Sequence, residues 1–216
     1  ANAMVTVDHV SGGRMELGLG ARWSQLEFDA YGIPFLPIKD RLDQLEEGVQ
    51  IIRSLFTQPT TSFTGKHYNL TDARCDPKPL QPQPRIWIGG MGEKRLLRMV
   101  AKYADGWNTA FIGPEVYAQK NRVLTEWCDK QGRAPQAVIR TVNLGLALGY
   151  NEAEAQRKRA GLKQQFGAAA SFLEPGMLIG TPPEVIDRIG AYVQAGAEWI
   201  ILALRGPFDM EGLQVF

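Results

Sequence analysis

Short apolar runs alternate with amphipathic helical patterns along almost the whole chain, and this alternation restricts the fold more than any other feature. Arg14-Met-Glu-Leu-Gly-Leu-Gly20 reads as a strand running into a glycine loop. Leu42, Leu45, Val49 and Ile52 recur at three- and four-residue steps, which gives one helix face with Asp40 as N-cap and Pro59 as terminator. Residues 60–70 carry Ser-Phe-Thr-Gly-Lys-His-Tyr-Asn-Leu, a β-hairpin turning at Gly65. A proline-rich stretch over 77–84 then feeds a strand at Arg85-Ile-Trp-Ile-Gly-Gly90. Leu96, Leu97, Val100 and Ala104 predict the helix that follows, starting directly after the glycines.

The second half repeats the scheme. Asp105-Gly-Trp-Asn-Thr-Ala110 is a short strand, and Pro114 opens a helix carrying Val116, Val123 and Trp127. Residues 138–148 form a strand and 151–165 a charged helix. Thr181-Pro-Pro-Glu184 has the form of a capping box and starts a helix that runs to Gly196, before a last strand over 198–204. Strands separated by helices call for parallel βαβ units. About five strands fit either an open doubly wound sheet or part of a (β/α)8 barrel. A dinucleotide fingerprint fails, because Gly18-Leu-Gly20 is followed by Trp23 where a third glycine is needed.

Charge and composition remove several function classes. With 24 Lys+Arg against 23 Asp+Glu the net charge is +1, so no basic surplus exists for bulk binding of nucleic acid. Trp199 to Leu204 is among the longest apolar runs and is far short of the ~20 residues of a membrane helix. The two cysteines, Cys75 and Cys128, supply neither a disulfide framework nor a zinc cluster, and they favour a reducing, cytoplasmic setting. The chain opens Ala-Asn-Ala-Met-Val-Thr-Val and closes inside a helical pattern at Gln214-Val215-Phe216, so both ends are expected to be cut.

Three segments carry candidate chemistry. In Ile86-Trp-Ile-Gly-Gly-Met-Gly92 a buried strand ends in glycines that admit close approach of a ligand, and helix N–H groups beyond them suit a phosphate. A tight turn with nothing bound fits the same local pattern equally well. Asn108 and Thr109 end the next strand and would add donors on the same face, whereas Trp107 reads as core filler. After Gly20, Trp23 and Glu27 are candidates for a pocket around a planar ring, although Glu27 fits a surface ion pair as well. His67 reads as structural and His9 as exposed. No Ser-His-Asp or Cys-His set is present, so hard chemistry would belong to a cofactor. Arg205 meets an anion or caps the rim.

Taken in order, Ser11-Gly-Gly-Arg-Met-Glu-Leu-Gly-Leu-Gly20, Ala30-Tyr-Gly-Ile-Pro34, Arg41-Leu-Asp-Gln-Leu-Glu46, Phe63-Thr-Gly-Lys-His-Tyr-Asn-Leu70, Pro77-Lys-Pro-Leu-Gln81, Ile86-Trp-Ile-Gly-Gly90, Ala104-Asp-Gly-Trp-Asn108 and Gly180-Thr-Pro-Pro-Glu184 resemble the bacterial luciferase-like monooxygenase family, in particular its coenzyme F420-dependent branch. The resemblance implies an α/β fold, a (β/α)8 TIM barrel present as its C-terminal part, about five strands with a small β-hairpin insertion. Residues 1–216 would be one such domain, truncated at both ends, with about three βα units absent before it.

The same resemblance implies a cofactor at the C-terminal strand ends, held by Gly20, Trp23, Glu27, Gly89, Gly90, Met91, Asn108, Thr109 and Ala110. The cofactor would be coenzyme F420, or alternatively FMN. Hydride transfer to or from a small organic molecule follows, with no metal. The catalytic residues would lie in the absent strands. The catalytic Glu of sugar-phosphate dehydrogenase members has no match at Ala21-Arg-Trp23. A homodimer is implied, with neither nucleic acid nor membrane as partner. A non-catalytic flavin-binding remnant and a phosphate-sugar barrel enzyme relying on Arg205 are the other readings.

Overall fold

A computed structural model describes residues 1–204 and 208–216, with the backbone alone described at 163, 165 and 168. Arg205 lies outside the described residues. Two compact units divide the chain, Ala1–Trp107 with Cys128–Val138, and Asn108–Trp127 with Ile139–Phe216.

The first unit contains α1 (Asn2–Val10), β1 (Leu17–Gly20), α2 (Gln25–Ala30), α3 (Ile38–Thr57), β2 (Thr61–Thr64), β3 (Asn69–Ala73), β4 (Ile86–Gly89) and α4 (Leu96–Tyr103). β5 (Gly106–Ala110) starts in it, and α5 (Pro114–Lys130) ends in it. β1 and β4 pair in parallel, from Leu17↔Ile86 to Gly20↔Gly89, as the strand–helix alternation requires. Ile86 and Ile88 are fully buried, as are Leu97 and Val100 of α4, which packs on β4. Each such aliphatic side chain contributes about 1.5–3 kcal/mol. Val5 of α1 joins Met15, Leu17, Phe56 and Cys75 in a second cluster.

The helices of this unit depart from the periodicity at α3 and α2, and again at the start of α4. α3 starts at Ile38 with Pro37 as N-cap, so Asp40 sits in its first turn and is not the cap. Its carboxylate accepts from Lys66 Nζ instead, at 2.5 Å. α2 has six residues and buries none of them, so no apolar face announces it in the sequence. The hairpin β2–β3 turns over 65–68, where the Glu47 carboxylate of α3 accepts the backbone N–H groups of Lys66, His67 and Tyr68 at 2.8–3.0 Å.

The second unit contains β6 (Ile139–Leu148), α6 (Glu152–Phe166), α7 (Ala170–Leu173), β7 (Met177–Gly180), α8 (Pro182–Gln194), β8 (Trp199–Leu202) and α9 (Met210–Val215). β6 changes partner midway. Thr141 to Leu144 pair with Trp199 to Leu202, and Gly145 to Leu148 pair with Met177 to Gly180, both in parallel. The change falls at Gly145, where a Cβ would stand 2.2 Å from the Met177 sulfur. β7 is an additional strand that its four residues, entered through Pro175 and Gly176, do not announce. The expected capping box is present at α8: the Glu184 carboxylate accepts the Thr181 N–H at 2.7 Å and the Thr181 hydroxyl at 3.0 Å. Among the described residues no helix is long and apolar enough to cross a membrane.

Asp8 ties the proline-rich segment to α1. It is fully buried, and its carboxylate accepts from Leu80 N at 2.7 Å, Gln81 N at 3.3 Å and Gln81 Nε2 at 2.8 Å. Burial opposes its charge, but the Gln81 amide and these backbone donors outweigh that and hold the pKa below its ordinary value. A depressed carboxylate stabilises the fold fully above the unfolded-chain value, near pH 4, and that contribution is lost as pH falls through the lower folded value. Asp8→Asn is therefore expected to cost about 2 kcal/mol near neutrality and to flatten the acid limb of stability measured by urea unfolding. An acid limb as steep as that of the unaltered chain would contradict this role.

Candidate functional site

The C-terminal ends of β1 and β4 form one bare edge. Partners in a parallel pair present their side chains to the same face, so Gly18 and Trp87, then Gly20 and Gly89, share the face opposite the buried Ile86 and Ile88. The Trp87 indole forms the floor. Its N–H donates to Glu16 Oε2 at 2.7 Å, and Glu16 also accepts from Arg85 at 3.0 Å. Gly106 lets the ring lie flush, since a Cβ there would come within 2.1 Å of it.

Above that floor the glycines differ in kind. A Cβ at Gly18 would meet nothing within 4 Å, and one at Gly20 would only touch the Gly89 carbonyl at 3.9 Å. Packing within this unit does not demand glycine at either position, so their bareness leaves room for something else. Gly90 is different. It has φ +128°, and a Cβ would come within 2.8 Å of Leu96 Cδ1. The chain itself needs glycine there.

The Gly90 carbonyl accepts from the indole N–H of Trp107 at 2.7 Å. Trp107 is fully buried, in keeping with its reading as core filler, but the hydrogen bond gives it a second task that hydropathy does not register. A buried indole N–H calls for an acceptor, and that requirement is the signal the sequence offers. Across a trans peptide the C=O and the following N–H point in opposite directions, so the Met91 N–H is turned away from the indole. Met91 itself is exposed.

α4 does not start directly after the glycines, as the sequence predicts. A turn over 93–95 intervenes, and the helix begins at Leu96 with Arg95 as an N-cap whose side chain makes no capping bond. Arg95 turns instead to Asp43 at 2.6 Å and to the Lys39 carbonyl at 3.2 Å. The donors nearest the strand end are thus those of the Gly90–Gly92 turn, ahead of the helix terminus.

The loop after β1 is pinned from α3. Arg41 Nη1 donates to the carbonyls of Ala21 at 3.1 Å and Arg22 at 2.6 Å. Its guanidinium stacks on Phe35 at 4.1 Å, and Phe35 meets Phe28 edge-on at 5.5 Å. Arg22, at φ +65°, lies over Phe28 at 5.1 Å. Ser24 caps α2 by accepting the Glu27 N–H at 3.4 Å. This scaffold leaves Trp23 84% exposed and Glu27 exposed. Gly20, Gly89, Gly90 and Met91 are therefore brought together, and Trp23 and Glu27 stand in solvent beyond them. In the second unit Asn108 Oδ1 accepts the Thr141 hydroxyl at 3.0 Å, Thr109 is buried and Ala110 exposed.

Of the two histidines, His67 lies 3.8 Å from Asp40 and 3.9 Å from Asp43. These three residues have ligand atoms within 4.8 Å of one another, but the Lys66 ammonium already bridges both carboxylates at 2.5 and 3.0 Å. The Lys66 hydrogen bond lowers the pKa of Asp40, and Arg95 followed by Lys66 lowers that of Asp43. The cluster is an internally neutralised ion network. His9 is exposed and contacts the Lys78 carbonyl at 2.8 Å.

Comparison with known proteins identifies the family and the fold. A family model described as luciferase-like monooxygenase matches residues 1–198. An F420-dependent glucose-6-phosphate dehydrogenase of Amycolatopsis mediterranei is 31% identical over 153 residues, which cover 68% of this chain and 44% of the relative. An FMNH2-dependent dimethylsulfone monooxygenase of Pseudomonas putida is 34% identical over 108 residues, covering 50% and 29%. The chain thus spans less than half the length of these two relatives. A solved F420-dependent secondary alcohol dehydrogenase, in complex with an F420-acetone adduct, superposes with a TM-score of 0.83 at 19% identity, covering all of this chain and 71% of that one. The fold is the luciferase-like α/β barrel, and the chain belongs to the luciferase-like monooxygenase family.

Proposed function

We propose that the protein is a coenzyme F420-dependent oxidoreductase, with residues 1–216 forming part of a single barrel domain. The observation that carries this reading is the bare edge at Gly18 and Gly20, glycines that neighbouring packing does not require, with Gly89 paired to Gly20 and a Gly90 turn that packing fixes. These residues fit a phosphate-bearing tricyclic cofactor: two Cβ-free positions admit a flat ring against backbone, and the turn offers N–H donors to an anion. When bound, the cofactor supplies hydride transfer at its ring. Gly20 and Gly89 would give it space, and the Gly90–Met91 peptide would hold its phosphate. The assignment of Trp23, Glu27, Asn108, Thr109 and Ala110 to the same cofactor rests on the family resemblance.

The relative from Amycolatopsis supports F420 and the one from Pseudomonas supports reduced FMN as the second reading. We take the substrate to be a small organic molecule; Ala21-Arg-Trp23 has no match to the catalytic Glu of the sugar-phosphate dehydrogenase members, which argues against a sugar phosphate. A cytoplasmic homodimer that binds neither nucleic acid nor membrane completes the proposal.

Fluorescence titration of the purified protein should give a Kd for F420 at least tenfold below that for FMN. The reverse order would move the protein to the FMN branch. Turnover of a substrate with reduced cofactor would exclude a non-catalytic binding role. The two kinds of glycine separate in a second experiment. Gly20→Ala should leave stability within about 0.5 kcal/mol and weaken cofactor binding roughly tenfold, since the new methyl group occupies ligand space. Gly90→Ala should cost about 1–3 kcal/mol of stability from its φ and the Leu96 clash. Equal effects of both substitutions on stability would refute the distinction.

A further inference from the structure

We propose that Trp107 is the positioning residue for cofactor phosphate, an inference that rests on the reading above and concerns how the Gly90 turn discriminates an anion. The Gly90 peptide has two orientations open to it in principle. In one the Met91 N–H faces the strand-end opening, and in the other the Gly90 carbonyl does. The first attracts an anion and the second repels it. The 2.7 Å bond from the fully buried Trp107 indole to the Gly90 carbonyl selects the first.

The surrounding residues make that bond hard to evade. Trp107 directly follows Gly106, whose missing side chain lets the Trp87 ring pack flush on the other face of the strand. Successive side chains on a strand point to opposite faces, so the Trp87 floor and the Trp107 clamp are set by one dipeptide, Gly106-Trp107. Leu96 closes the space that a Cβ at Gly90 would need. Glycine is therefore obligatory at 90, and glycine is also the residue most able to flip its peptide. The indole bond compensates for that freedom. Trp107 touches neither ring nor phosphate; it acts through the Gly90 peptide.

The test is Trp107→Phe, which keeps an aromatic ring in the core while removing the donor and part of the indole's volume. Binding is measured for two matched pairs, FMN against riboflavin and F420 against its phosphate-free deazariboflavin. The unaltered protein should prefer the phosphorylated member of each pair by tenfold or more. Trp107→Phe should raise the Kd of the phosphorylated members about tenfold and leave the phosphate-free members within twofold. Loss of all four ligands alike would show a merely structural role and overturn the proposal. Undiminished preference for phosphate in the variant would overturn it while leaving the cofactor reading intact. Absence of any phosphate preference in the unaltered protein would instead remove the phosphate site, and the proposal with it.

Should Trp107→Phe fail to fold, the unaltered protein decides. The Trp107 indole N–H resonance should shift on addition of FMN and stay in place on addition of riboflavin. Identical responses to the two would contradict the mechanism.

Discussion

The parallel pairing of β1 with β4 is the constraint on which the rest of the first unit depends. Its register, Leu17↔Ile86 through Gly20↔Gly89, puts two glycines side by side at one strand end and sends Ile86 and Ile88 into the core behind them. A slip of one residue would exchange the faces, burying Trp87 with its Glu16 bond and exposing both isoleucines. Asp105 fixes the β4 member of the pair at its start. One of its carboxylate oxygens accepts the Ile86 N–H at 2.9 Å and Arg53 at 2.5 Å, and its own N–H donates to the Ile86 carbonyl at 2.8 Å.

α3 organises everything attached to this pair. Along its length Arg41 holds the loop after β1, Asp43 takes Lys66 and Arg95, Glu47 takes three backbone N–H groups of the hairpin, and Arg53 reaches the Pro84 carbonyl and Asp105. Exposed ion pairs such as Lys66–Asp43 are screened by solvent and contribute little, so the weight falls on the part-buried bonds of Arg41, Glu47 and Arg53. The Glu47 carboxylate shows the balance. Burial raises its pKa, the N–H groups of His67, Lys66 and Tyr68 lower it, and the donors win. Charged side chains on several sides of α3 thereby aim three separate loops, while Leu45, Val49 and Ile51 supply burial.

What the sequence made legible was whatever depends on local period or local chemistry. The order of strands and helices, the hairpin at Gly65, the Thr181–Glu184 cap and the glycine strand end at Gly89-Gly90 all announce themselves within a few residues. The unannounced features rest on partners distant in the chain. The Arg41 clamp spans nineteen positions to Arg22 and the Trp107 clamp seventeen to Gly90. β7 is legible only through its pairing with the second half of β6, and α2 has no buried face to set a period. α4 starts later than its sequence suggests, because Glu93-Lys-Arg95 reads as a good helix, whereas Arg95 is drawn off to Asp43. Gly18 and Gly90 look alike in sequence, and only the atoms around each separate a glycine left bare from one sterically required.

The central claim is that the edge formed by Gly20, Gly89 and Gly90 receives a phosphate-bearing cofactor, with the Gly90 peptide turned by Trp107 to face it. A crystal structure of the protein soaked with F420 or FMN tests this most directly. In that structure the cofactor phosphate should lie within hydrogen-bonding distance of the Met91 N–H, with the Trp107–Gly90 bond unbroken. Phosphate bound beyond β7 or β8, or a Gly90 carbonyl turned toward the ligand, would contradict it.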